Sequence, residues 1–123
     1  MTPSHTVMIT LYGIPNCDTV KKARTWLDEN GYAYTFHDFK KAGLNKATIS
    51  TWLKQVSWEI LVNKKGTTWR NLPDATKASV VNAATATTLM LDNTSVIKRP
   101  VLCTKDQVLV GFDADLYKKT FKA

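Results

Sequence analysis

Long apolar runs are missing from this sequence of 123 residues. Stretches such as Val7-Met8-Ile9 and Val108-Leu109-Val110 are a few residues long, far below the ~20 needed to cross a bilayer, so no membrane partner is expected. Met1-Thr2-Pro3-Ser4-His5 has no basic region followed by an apolar stretch, so no secretory signal is expected and the cytoplasm is the default compartment. Cysteine is scarce: Cys17 and Cys103 are the only two, too few for a disulfide framework. A chain of this length buries about two-thirds of its unfolded surface and needs none. In the cytoplasm both thiols are kept reduced. The two histidines, His5 and His37, have no second ligand at metal-binding spacing, and no metal is expected. Gly-rich phosphate loops and Ser-His-Asp sets are likewise absent.

Acidic residues are in the minority. Seventeen Lys and Arg against ten Asp and Glu give a net charge of +7, while 44% hydrophobic and 22% charged residues match ordinary globular usage. Disorder and collagen-like repeats are excluded. The basic residues come as scattered pairs, Lys21-Lys22, Lys40-Lys41, Lys64-Lys65, Lys98-Arg99 and Lys118-Lys119, neither gathered on one face nor interleaved with stacking aromatics as in nucleic-acid binders. A solvated basic surface with one local anion site is the favoured reading, and nucleic acid is not expected as a partner. Trp26, Trp52, Trp58 and Trp69 fall on separate segments and read as packing residues.

Val7 to Tyr12 is rich in β-branched and large apolar residues and runs into the loop Gly13-Ile14-Pro15-Asn16, which predicts a buried strand. From Asp18 to Asn30, Val20, Ala23 and Leu27 share one helical face, with Asn30-Gly31 as the stop signal. Tyr32 to Phe39 carries four aromatics and predicts a second strand, parallel to the first across a right-handed crossover. The segment from about 44 to 91 is predicted helical, from Ile49, Trp52, Leu53 and Val56 and from Val80, Ala84, Thr87 and Leu91, with Gly66, Pro73 and the Asp92-Asn93-Thr94 cluster dividing it. Val101 to Thr104 and Gln107 to Gly111 predict a β-hairpin, followed by a helix over Ala114 to Phe121. The result is one α/β domain over residues 1–123, ordered β-α-β, helices, β-β-α, with a mixed sheet and a helical insertion at about 44–91.

In this order Cys17 falls between a strand end and a helix start. Unpaired backbone N–H groups and the helix dipole favour an anion there, and a thiolate is such an anion. Lys21 is one helical turn away, although Asp18 opposes it. Ligands of open α/β sheets collect at this end of the strands, and a thiolate placed there can attack a disulfide or an oxidised substrate. A small buried cysteine at a loop junction is the alternative.

Three blocks then resemble one family in order along nearly the whole chain: Tyr12-Gly13-Ile14-Pro15-Asn16-Cys17-Asp18-Thr19-Val20-Lys21-Lys22-Ala23, Gly66-Thr67-Thr68-Trp69-Arg70, and Ile97-Lys98-Arg99-Pro100-Val101-Leu102. The resemblance is to the ArsC family of thioredoxin-fold proteins, and within it to the YffB-like branch. It implies a thioredoxin-like fold, Cys17 as nucleophile, Arg99 as an arginine that helps hold an oxyanion, and Pro100 as a cis-proline that brings residues 99 and 100 close to Cys17. Arsenate reductases of this type have three arginines around the anion. Asn63 and Phe112 stand at two of those positions, which argues against arsenate as substrate unless Arg70 or Lys65 substitutes.

Spx-type regulators of the same superfamily have a second cysteine where this chain has Val20, so a C-x-x-C switch is excluded. Cys103, three strand residues beyond Pro100, is expected to be a buried strand residue out of bridging range. A single reactive cysteine needs an external thiol. Glutathione is the cytosolic candidate, in line with the glutathione-dependent thiol reductase activity that the YffB-like resemblance implies. Its two carboxylates and extended backbone call for Lys21, Lys98 and Arg99, with Lys40 as a further cation, and for the backbone before Pro100, with Asn16 beside the thiol. The expected activity is a glutathione-dependent thiol reductase acting as a monomer on a protein or small oxyanion substrate, with no tightly bound cofactor. The alternative is a non-catalytic, Spx-like binding protein.

Overall fold

The computed structural model describes residues 8–121; Val7 and His5 lie outside them. The chain divides into two compact units, one built from the residues up to Asp38 together with those from Arg99 onward, the other from Phe39–Lys98.

The first unit holds a four-stranded mixed sheet of order β2-β1-β3-β4. Its strands are β1 (Thr10–Gly13), β2 (Thr35–Asp38), β3 (Val101–Cys103) and β4 (Val108–Val110), with helices α1 (Asp18–Glu29) and α8 (Ala114–Phe121). β1 and β2 are parallel, whereas β3 runs antiparallel to both β1 and β4. This is the thioredoxin-like arrangement.

Helix α1 follows its periodicity, since Val20, Ala23 and Leu27 are its buried residues. Its end follows the stop signal: Gly31 takes φ +76°, and the Asn30 side chain donates to the Trp26 carbonyl at 2.8 Å. One face of the sheet, through Leu11, Leu102 and Leu109, packs against Ala23 and Leu27 of α1 and Tyr117 of α8. Full burial of leucines such as Leu11, Leu27 and Leu102 is worth roughly 1.5–3 kcal/mol each over exposure. An aromatic layer closes this core. Trp26 stacks on Tyr32 at 5.9 Å, and Tyr117 meets Trp26 edge-on at 5.5 Å.

β2 is shorter than the alternation predicts. The Tyr32 N–H donates to the Leu27 carbonyl, so residues 32–34 are spent leaving the helix, and Phe39 already opens the next one. The hairpin turn is held by Thr104, whose Oγ1 accepts from the N–H groups of Asp106 and Gln107 at 3.2 and 3.0 Å. Asp113 caps α8, its Oδ1 accepting from the Asp115 N–H at 2.9 Å.

The second unit is helical, comprising α2 (Phe39–Ala42), α3 (Lys46–Leu53), α4 (Trp58–Leu61), α5 (Thr67–Arg70), α6 (Asp74–Ser79), α7 (Ala83–Asp92) and a 3-10 turn at Thr94–Val96. It therefore begins before residue 44. Within it α7 packs against α3, α4 and the 3-10 turn, and Trp52, Ile49, Leu61 and Met90 are among its buried residues. Val56 and Val80 fall just outside the helices that their spacing suggested. Asn82 opens α7 as its N-cap, in a reciprocal capping box with Thr85.

Candidate functional site

β1 ends at Gly13 because α1 starts almost on top of it. A Cβ at Gly13 would stand 2.8 Å from Val20 Cγ2 and 3.3 Å from its Cγ1, closer than side chains pack. After the turn through Asn16, Cys17 is the N-cap of α1, with extended backbone at φ −133° and ψ 121°. Its carbonyl accepts from the Lys21 N–H at 2.9 Å and opens the helix ladder. Its side chain makes no capping bond and is half-buried. The thiol thus stands at the first turn of a twelve-residue helix whose leading N–H groups have no intrahelical acceptor.

The antiparallel register carries a second segment to the same end of the sheet. Val101 lies opposite Tyr12, so the residues just before it, Arg99 and Pro100, fall beside the carboxyl end of β1 from which the Cys17 loop departs. The Arg99-Pro100 peptide is cis, and the Pro100 carbonyl accepts from the Gly111 N–H at 2.8 Å. Pro100 is buried and Arg99 half-buried, while Asn16 and Lys21 are exposed. Lys98 belongs to the helical unit, where its N–H donates to the Leu61 carbonyl at 2.7 Å. Lys40 is exposed on α2 of that unit.

Cys103 is half-buried, less enclosed than expected, because it is the last residue of β3 before the turn. It lies opposite Thr10, three residues back from Gly13, or roughly 10 Å along the strand. The two thiols thus sit toward opposite ends of the sheet. Tyr12 and His37 are paired across the sheet at 4.9 Å. The Tyr12 phenol is raised above its ordinary value by burial and then by the Cys103 charge.

The two positions that lack the expected arginine have structural uses here. Phe112 is edge-on to Tyr117 at 4.9 Å and packs on the core of the first unit. Asn63, in the helical unit, accepts from the Lys65 N–H through Oδ1 at 3.2 Å. It shapes the turn into α5, where a Cβ at Gly66 would stand 2.9 Å from Asn63 Nδ2. Lys65 and Arg70 belong to the same unit as Asn63.

Three features escape a reading of residue spacing. A cleft of about 400 Å³ opens along α1, lined by Lys21, Lys22, Trp26, Phe112 and, as its one acid, Glu29. In the helical unit Lys64 lies between two indoles, 5.2 Å from Trp58 and 5.5 Å from Trp69, so these tryptophans hold a cation as well as packing. A second cleft in the sheet unit is lined by Arg24, Asp28 and aromatics of the β2 segment. Among the described residues no three His, Cys, Asp or Glu side chains converge to hold a metal, and no helix is long and apolar enough to cross a membrane.

Comparison with known proteins agrees with this architecture. A solved structure titled YFFB protein superposes with a TM-score of 0.88 at 46% identity, covering 93% of this chain and 99% of that one. An arsenate reductase (ArsC) related protein from Brucella melitensis is 49% identical with a TM-score of 0.72, over 94% and 96% of the two chains. An uncharacterized protein of Haemophilus influenzae is 40% identical over 114 residues, 93% of this chain and 99% of its own length. The global transcriptional regulator Spx of Streptococcus agalactiae is 26% identical over 110 residues, 88% of this chain and 79% of its own. With the ArsC family pattern matching residues 12–120, the chain belongs to the ArsC family.

Proposed function

We propose that the protein is a glutathione-dependent thiol reductase of the cytoplasm, acting as a monomer through Cys17 alone. The observation that carries this reading is the position of Cys17: the N-cap of α1, at the sheet end to which the β1–β3 register also brings Arg99 and Pro100. In the first step the Cys17 thiolate attacks the glutathione sulfur of a glutathionylated substrate. A Cys17–glutathione disulfide forms and the substrate leaves as its thiolate, which takes a proton from solvent. A second glutathione, as thiolate, attacks the glutathione sulfur of that disulfide, releasing oxidised glutathione and regenerating the Cys17 thiolate. In sum the substrate's mixed disulfide is exchanged for that of oxidised glutathione: the substrate sulfur is reduced to the thiol level, the incoming glutathione sulfur is oxidised to the disulfide level, and no further reductant is needed.

Glutathione brings two carboxylates and an extended backbone. Lys21 and Lys22 line the cleft beside α1, Asn16 borders the thiol, and Arg99 adds charge in the segment before β3. The main chain around Pro100 offers backbone partners. Arsenate is the less favoured substrate, because Phe112 is committed to the aromatic core and Asn63 to its own turn.

The test is turnover of a glutathionylated peptide, read as oxidised glutathione formed. Wild type and Cys103→Ser are expected to turn over alike, Cys17→Ser not at all, and mass spectrometry should trap glutathione on Cys17. Full activity in Cys17→Ser would overturn the reading. A second reading, an Spx-like binding protein, draws on the relatedness to Spx and the +7 charge. It expects recovery of RNA polymerase subunits from cell extract equally by wild type and Cys17→Ser.

A further inference from the structure

β2 is an outer strand of the sheet, and among the described residues only one side of its backbone pairs with a neighbouring strand, β1. The Thr35 N–H donates to the Ile9 carbonyl at 2.9 Å. Thr35 and His37 are thereby turned toward β1, and the N–H and C=O of Phe36 toward the open side. An open strand edge is a template for an added strand. Beside it lies a cleft of about 530 Å³ lined by Arg24, Asp28, Tyr32, Ala33, Tyr34 and Phe36.

The base in this cleft is held by aromatic groups and by no acid. The Arg24 guanidinium lies 4.3 Å from the centroid of the Phe36 ring, and its Nε donates to the Tyr34 hydroxyl at 3.0 Å. Among the described residues no carboxylate pairs with it, Asp28 one turn along α1 included. Stacking and the Nε bond fix the guanidinium plane while four of its five N–H donors stay available. A fork so held matches a planar carboxylate without the ordering cost that a free arginine carries.

We propose that the β2 edge docks an extended peptide segment carrying an acidic side chain, its backbone paired to Phe36 and its carboxylate taken by Arg24. Side chains of adjacent strands sit side by side on each face, so the residue of an added strand that neighbours Phe36 on the α1 face reaches Arg24. The net charge of +7 favours an acidic partner over a second copy of this chain, whose like charge opposes approach. The site uses neither Cys17 nor its end of the sheet, and it stands apart from the thiol reading.

The experiment is an amide-shift titration of the full chain with acetyl-Thr-Val-Glu-Val-Thr-amide, with its Gln counterpart, and with acetate. Saturable shifts are expected at Phe36 and at the Arg24 Nε–H, with binding roughly tenfold or more weaker for the Gln peptide or for Arg24→Gln. Tyr34→Phe, which leaves α1 untouched, should weaken the Glu peptide severalfold and the Gln peptide little. Equal binding of the two peptides, or shifts confined to other strands, would overturn the proposal. Acetate reproducing the Phe36 and Arg24 shifts in full would reduce the site to one for free anions and overturn docking. A dimer in sedimentation that Arg24→Gln dissolves would give the edge to a second copy and overturn it equally. Because the peptides contain no cysteine, Cys17→Ser should bind them as wild type does.

Discussion

Alanine at position 13 places one methyl group where the first turn of α1 meets the end of β1. That methyl would stand 2.8 Å from Val20 Cγ2, against an optimum of 3.5–4.0 Å, so a retreat of roughly 0.7 Å or more is required. Val20 is fully buried and β-branched, which in a helix leaves it one strongly preferred rotamer. The side chain has nowhere to turn, and the helix backbone must give. Cys17 is the N-cap of that turn, so the displacement moves the thiol itself. Overpacking of this kind costs about 1–3 kcal/mol, and Gly13→Ala should lose that much in urea unfolding. Turnover of a glutathionylated peptide should fall by more than the small unfolded fraction explains. Val20→Ala removes both clashing methyls at a cost of its own, roughly 0.8 kcal/mol per buried carbon. The double variant should therefore be more stable than the sum of the single losses by about 1 kcal/mol or more. Additivity within about 0.5 kcal/mol, or a Gly13→Ala protein with unchanged stability and turnover, would refute the packing argument.

Tyr117 is fully buried and its hydroxyl has no hydrogen-bond partner among the described residues, so Tyr117→Phe should leave stability unchanged or raise it by up to about 1 kcal/mol. A loss in chemical denaturation would show that the hydroxyl is bonded. Burial raises this phenol well above its ordinary value. The unfolded chain then releases the proton first, so stability is intact below about pH 10 and is lost as pH rises above it. The loss is at most about 1.4 kcal/mol per pH unit from this residue, and Tyr117→Phe should flatten the alkaline limb of the stability profile. Asp113→Ala should cost about 0.5–2 kcal/mol by removing the cap of α8, and a thermal melt reads it directly. Cys103→Ala should leave thiol turnover within twofold of wild type, since its β3 register sets it opposite Thr10; loss of turnover on peptide substrate would make it a second redox partner.

Elements with a single buried face were the legible ones. α1 could be placed within a residue from Val20, Ala23, Leu27 and Asn30-Gly31, because the same spacing that buries the face also marks its ends. The four-residue helices α2, α4 and α5 are too short to show a period of 3.6, so spacing alone sets the start of the helical unit five residues late, whereas Gly66, Pro73 and the Asp92-Asn93-Thr94 cluster do mark the starts of α5 and α6 and the end of α7. β2 was overextended because aromatic content does not separate a strand from a chain leaving a helix; the Tyr32 N–H bond to Leu27 makes that distinction. At the site, the cysteine's place followed from local order, but the company of Arg99 and Pro100 did not. An X-Pro pair before a strand reads as an ordinary turn, and only the β1–β3 register or a family resemblance brings it to the Cys17 end.

Packing also changes the meaning of position 112. Read along the chain, Phe112 is a missing arginine, a slot that one substitution might refill. In the fold its ring is edge-on to Tyr117, which in turn supports Trp26 and Phe121, so the position belongs to the core that holds α8 against α1. An arginine there would first have to replace apolar contact and keep its charge solvated, at a cost of several kcal/mol if it were buried without a partner. The departure from the three-arginine pattern is therefore supported by neighbouring residues and is not an isolated substitution. On the proposed reading, the anion chemistry left to this end of the sheet would rest on Arg99, on Lys21 and on the leading N–H groups of α1. Such a set would suit a thiolate and the carboxylates of a peptide-like thiol better than a compact, highly charged oxyanion.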